Sequence, residues 1–156
     1  MTATVHTIID LLVANLQTKF SSGEWNGYGQ VEVEAMIRPS FKLEDATDTT
    51  LIKIAAYPDV RMRRLWRDKV ESDLRIGIGF IKKIEMTDGK PDENAGRILM
   101  ALAEQIYQWA FTGPEGYEHD VISVGLPAQF DAEKEKQGIF VTAIPITYRV
   151  GFLVTA

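Results

Sequence analysis

Residues Gly138 to Val154, GIFVTAIPITYRVGFLV, decide how this chain folds. Every second residue is apolar, aromatic or β-branched: Phe140, Thr142, Ile144, Ile146, Tyr148, Val150, Phe152 and Val154. That is the period of a strand with one buried face. At about 3.3 Å per residue such a strand extends about 50 Å, whereas a domain of this size has a radius of gyration of about 15 Å and a diameter near 40 Å. Part of the strand is therefore expected to bend or to reach a neighbour. Pro145 has no amide donor and suits an edge or a bend better than a central ladder position. The expectation is an extended C-terminal strand or arm, with Tyr148, Val150, Phe152 and Val154 at a contact between subunits.

Outward from this stretch, a polar turn at Asp131 to Gln137 follows a short strand, Val121 to Val124. Ala95, Ile98, Leu99, Leu102, Ala103, Ile106 and Trp109 recur at helical spacing after Asp92 and Glu93, whose charges suit a helix N-terminus, and Gly113-Pro114 stops that helix. Thr87 to Asp92, TDGKPD, is a turn. Three more strand patterns lie upstream. In Asp73 to Ile84, Leu74, Ile76, Ile78, Phe80 and Ile84 share one face, and Gly77 and Gly79 stand on the other, where close packing against a helix is expected. Leu51 to Tyr57 is the second, closed by Pro58 and Asp59. In Val31 to Ile37, Val31, Val33, Ala35 and Ile37 alternate with Glu32, Glu34, Met36 and Arg38 until Pro39, so that sheet has one wet face. A helix opens the chain on Ile8, Ile9, Leu12, Val13, Leu16 and Phe20, with Thr7 and Asp10 as a capping box and Gly23 as its stop. Ser40 to Asp48 is a loop. The order α-β-β-β-α-β-β with hairpin-length connections predicts an α+β domain over 1–156, a largely antiparallel sheet with two main helices packed on one face.

Composition sets the class. The 156 residues, 46% hydrophobic and 25% charged, suit one soluble globular domain with a sizeable core. The net charge of −5 argues against a protein that grips nucleic acid over most of its surface. Cysteine is absent, which excludes disulfides, thiolate catalysis and cysteine-ligated metals. Asp10 and Asn15 break the apolar run Ile8 to Leu16, so it is neither a membrane span nor a signal peptide.

Catalytic chemistry finds no support. His6 and His119 are the only imidazoles, too few for a multi-histidine zinc site. His119 beside Asp120, after Glu118, has the residue types of an acid-base pair, but adjacent residues on a loop are ordinarily solvated. Gly77-Ile78-Gly79 lies in a strand and lacks the further glycine and helix of a phosphate-binding turn, and TDGK has no calcium-loop spacing. No catalytic, cofactor or metal residue is assigned.

Arg61, Arg63, Arg64, Arg67 and Lys69 form the one concentrated run of a single charge, with Leu65 and Trp66 among them. Three readings fit: a solvated connection whose Trp66 tucks into the core, a docking segment for another protein, since Arg and Trp are enriched at interface hot spots, or a nucleic-acid patch.

The amphipathic first helix, the Val-Glu-Val strand (Val31 to Ile37), the Arg-bearing segment before an Ile-Gly-Ile strand (Arg75 to Phe80), the helix after it and the strand Ile139 to Val150 together resemble the tail terminator, or tail-completion, proteins of tailed bacteriophages. The resemblance covers most of the chain and lies in architecture and length, not in invariant motifs. It implies a virion structural protein assembled in the host cytoplasm: a self-associating ring, usually a homohexamer, that caps the tail tube and ends its polymerisation. The implied partners are the tail tube protein, the sheath protein where there is one, and the head-tail connector, with no membrane and no cofactor. If part of the net charge of −5 per copy lines the lumen, DNA is expected to pass through without specific binding. Other neck rings, of the head-closure or stopper kind, fit the same composition. Two readings from other classes are a small hotdog-like enzyme using Asp120 or Glu118, and a nucleic-acid accessory protein using Arg61 to Lys69.

Overall fold

In the computed structural model, which describes residues 4–36, 45–57, 61–64, 69–112, 120–125 and 138–153, the first apolar stripe forms helix α1, Thr4–Ser21. Ile8, Ile9, Leu12 and Leu16 are buried along it, with Val13 and Phe20 packed at its margin. The helix begins before Thr7, so the expected Thr7–Asp10 capping box is corrected: Thr7 lies inside the first turns. Gly23, at φ 78°, ends the helix in the left-handed conformation that a residue without Cβ adopts freely.

The strands are β1 (Val31–Ala35), β2 (Thr50–Ala56), β3 (Arg61–Arg64), β4 (Lys69–Lys83), β5 (Met86–Thr87), β6 (Lys90–Pro91), β7 (Asp120–Val124) and β8 (Ile139–Leu153); helix α2 (Glu93–Thr112) lies between β6 and β7. Asp88 and Gly89, both at positive φ, turn β5 into β6 as the Asp-Gly pair predicts. Asp92 caps α2: its Oδ1 accepts the Asn94 N–H at 2.9 Å and its carbonyl the Gly96 N–H at 3.1 Å.

The main sheet runs β1-β2-β4-β8-β7, with β3 also on β4. Because β8 occupies one side of β4 along its whole length, β2 and β3 share the other side, β2 against Ile76–Ile81 and β3 against Val70–Asp73. Every pairing is antiparallel except β1 with β2. That pair corrects the expected hairpin connection, since a tight turn cannot join parallel neighbours.

The predicted faces of β4 and β8 are the observed ones, whereas Ala35, expected with Val31 and Val33 on the apolar face of β1, is exposed. Val33, Ile52, Ile54, Leu74, Ile76, Ile78, Phe80, Ile144, Ile146, Tyr148 and Val150 join α1 and α2 in one core. Helix α1 lies over β1 and β2 and α2 over β7 and β8, so both cover the same face. Each fully buried Leu, Ile or Phe there contributes about 1.5–3 kcal/mol. On α2 the buried stripe is Leu99, Leu102, Ala103, Ile106, Trp109 and Ala110, and Ile98, expected in it, stands 36% exposed at the flank. The helix packing expected at Gly77 is corrected: on the face opposite the helices Gly77 packs close to Tyr57, and a Cβ there would sit 2.8 Å from the ring's Cε2. The Arg75 guanidinium stacks on the same ring, 4.7 Å from its centroid.

The length argument for β8 is corrected by β4. Both strands have 15 residues, and they pair throughout, from Lys83 opposite Ile139 to Lys69 opposite Leu153. The reach of β8 is thus matched inside its own subunit. Pro145 sits in an interior strand, yet its missing donor breaks no ladder bond with β4. Its carbonyl accepts the Gly125 N–H at 2.7 Å, so its nitrogen faces the same side, where β7 has already ended.

Candidate assembly interface

The segment read as a docking loop begins and ends as strand. Arg61–Arg64 pairs with Val70–Asp73, placing Arg61 opposite Asp73, Arg63 opposite Glu71 and Arg64 opposite Val70. Asp73 in turn stands opposite Arg149, and Arg149 opposite Asp120. Four strands therefore carry a row of alternating sign, Arg61, Asp73, Arg149, Asp120, an arrangement in which cross-strand pairs are mutually stabilising. Arg149 Nε donates to Asp73 Oδ1 at 3.1 Å and lies 3.8 Å from Glu71 Oε2. The run of cations in the sequence is interleaved with acids once the strands pair. Trp66 and Arg67, the remaining docking candidates, lie outside the described residues.

In the main sheet three strands pair on one side only among the described residues: β1, β3 and β7. The outer side of β1 is identified by its ladder. Gln30 C=O accepts the Thr50 N–H and Met36 N–H donates to Ile54 C=O, both at 3.0 Å, so the even residues face β2 and the backbone groups of Val31, Val33 and Ala35 face outward. Gln17 of α1 donates its side-chain amide to the Val33 carbonyl at 3.0 Å. A groove of about 500 Å³ runs along this edge, lined by Gln17, Phe20, Trp25, Val31, Glu32 and Glu34 among others. Its aromatic wall is braced: Trp25 meets Phe20 and Trp109 edge-on, with centroids 5.5 and 6.0 Å apart. The Tyr28 hydroxyl donates to Gln105 of α2, and burial raises the pKa of that phenol. Glu32 and Glu34 are exposed, and Lys53 lies 3.7 Å from Glu34 and 3.3 Å from Asp45.

The expected subunit contact at the end of β8 is corrected for two of its residues. Tyr148 is 0% and Val150 1% exposed, both in the subunit's own core, as their place in the apolar stripe requires. Burial pushes the Tyr148 phenol well up from its ordinary range. The Phe152 backbone pairs with Val70, and Val154 lies outside the described residues. His6 is exposed on α1; Glu118 and His119 lie outside the described residues, and Asp120 opens β7. Sequence reading passed over an exposed stripe on α2, where Phe111 is 55% and Met100 45% exposed and Tyr107 meets Phe111 edge-on at 5.0 Å; the spacing of 100, 107 and 111 was its signal.

Among the described residues no helix is long and apolar enough to cross a membrane. No protein-family model and no curated protein matches the sequence. Fold and edges define the class: an α+β domain with a mixed, largely antiparallel sheet. One face of that sheet is covered by both helices.

Proposed function

We propose that this chain is a structural virion protein of a tailed bacteriophage, a tail terminator whose copies form a ring, six in that family, at the end of the tail tube. The ring stops tube polymerisation and presents a surface to the head connector; its action is mechanical. Beside the sequence resemblance, the supporting observation is a sheet with free strand edges that carry opposite charge, Glu32 and Glu34 on β1 and Arg61 and Arg63 on β3. A head-to-tail contact between unlike edges covers both edges that meet and, where the rotation between copies closes, forms a ring. The net charge of −5 per copy suits a lumen that repels DNA and lets it slide.

Negative-stain microscopy and mass photometry of the purified chain test the ring. Tail-tube lengths in particles made without the protein test the role. Closed rings together with overlong tubes are the expected result. A monomeric chain, or tubes of normal length without it, refutes the reading. Rings that bind isolated connectors but not tail tubes would assign the protein to the head-closure rings instead.

A further inference from the structure

Strand β1 reads Val-Glu-Val-Glu-Ala, and β3 reads Arg-Met-Arg-Arg. We propose that the β1 edge of one copy receives the β3 edge of a second copy, continuing the sheet from subunit to subunit, with Glu32 and Glu34 as cross-strand neighbours of Arg61 and Arg63. The inference rests on the ring reading above and names the contact that would build it.

Backbone, parity and charge converge on this pairing. The outward N–H and C=O groups of Val31, Val33 and Ala35 form a short edge, on which the Val33 carbonyl would exchange the Gln17 amide for the incoming strand, and β1 and β3 are close in length at five and four residues. Edge-to-edge pairing satisfies such groups. Glu34 stands opposite Lys53, and Arg61 and Arg63 opposite Asp73 and Glu71. These are the register positions of the sheet face turned away from the helices, since Ile52, Ile54, Leu74 and Ile76 alternate with them in the core. When two copies join with their helices on the same side, the acidic and basic positions fall on one surface. Within the subunit, Lys53 meets Glu34 and Asp45 beside β1, and β3 is in register with Asp73 and Glu71 of β4, the carboxylates that Arg149 approaches. Strand β1 carries two acids and no base, and β3 carries three bases and no acid.

The same charges select the symmetry. Pairing β1 with β1 sets Glu against Glu, and β3 with β3 sets Arg against Arg, each destabilising. Only the unlike pairing is favourable, and it is the head-to-tail kind that closes rings. The edge of β7 is a poorer acceptor, because its register shifts between Val121 and Ser123, a bulge that twists a strand away from further pairing.

The test compares four versions of the full chain by sedimentation velocity: intact, Glu32→Arg with Glu34→Arg, Arg61→Glu with Arg63→Glu, and all four substitutions together. Reversal of either edge alone should raise the dissociation constant at least about tenfold, and the four-site variant should restore association. Arg63→Glu faces Glu71 and risks unfolding the β3–β4 hairpin, so circular dichroism and a melting curve accompany each variant, and Ala35→Pro provides a second probe. Ala35 is exposed and its N–H faces outward, so proline there removes the edge donor without a bond to β2; association should fall with the melting curve unchanged. An oligomer indifferent to the β1 variants overturns the edge pairing and leaves the ring reading standing. Loss in both edge variants without recovery in the four-site variant overturns the Glu–Arg match. An intact chain that stays monomeric overturns both this contact and the ring.

Discussion

Truncation after Arg149 separates a strand that completes its own fold from an arm reserved for a neighbour. It removes Val150, which is 1% exposed, and with it four cross-strand pairs, from Ser72 with Val150 to Lys69 with Leu153. The lost burial of one valine costs about 1.5–3 kcal/mol. Ser72, 4% exposed in the intact chain, is uncovered, and the far end of the sheet is left as the β3–β4 hairpin alone; isolated two-stranded hairpins are marginal at best. A total cost of about 3 kcal/mol is expected, a large fraction of the roughly 5–15 kcal/mol that holds a domain together. With a urea m-value of about 2 kcal/mol/M, the unfolding midpoint falls by about 1.5 M. Far-UV circular dichroism against urea measures this directly. A truncated chain that keeps the intact midpoint while losing its oligomer would refute the reasoning and return the end of β8 to a subunit contact.

Three further outcomes are expected. Gly125→Ala places a Cβ 2.5 Å from Cγ and 3.1 Å from Cδ of Pro145, whose ring is held in an interior strand; the cost is about 1–3 kcal/mol, and an unchanged melting temperature would show that β7 yields without penalty. Because burial raises the Tyr148 phenol above its ordinary value of 10.0, the stability it contributes is fully present below about pH 10 and is lost as pH rises above it, by up to about 1.4 kcal/mol per pH unit. Melting curves through that range should fall more steeply for the intact chain than for Tyr148→Phe, and equal slopes would contradict the assignment. Arg149→Ala removes the cation shared by Asp73 and Glu71, but with side chains 22–40% exposed the loss is at most about 1 kcal/mol. It should shrink as salt is added; a salt-independent loss in denaturant titrations would point to packing instead of charge.

What was legible in the sequence is what repeats along it. The stripe Phe140 to Val150, the α2 stripe from Leu99 to Trp109 and the Asp88-Gly89 turn depend on neighbours a few residues away, and their periods identified the sheet faces and the helix. The parallel pairing of β1 with β2 depends on where the chain travels between Met36 and Thr50, and no local period carries that. The charge of Arg61 to Lys69 is concentrated only along the chain: Arg61 and Arg63 stand opposite Asp73 and Glu71 across the strands, a pairing that no local run displays. For Tyr148 and Val150 the period was the better guide. It predicted burial, and the length estimate that displaced it assumed the strand must end at the body's diameter, whereas β3, β4 and β8 carry the sheet past the end of β2. For the candidate docking set, residue types suggest that a segment recognises something but not which side of a strand stays open.

The fully matched pair of β4 and β8 also fixes an order of events as the chain is made. β4 leaves the ribosome with β2 and β3 on one flank, while the other flank stays open along all 15 residues until Ile139–Leu153 follows. Pairings between segments so distant in sequence form late and slowly. A nascent chain paused before residue 139 therefore presents a long unpaired edge beside Ile76, Ile78 and Phe80, the kind of template on which partly made chains aggregate. The β3 end of the sheet gains its third strand only when β8 arrives, so the edge proposed to meet a second copy is backed by a complete sheet only after β8 is made.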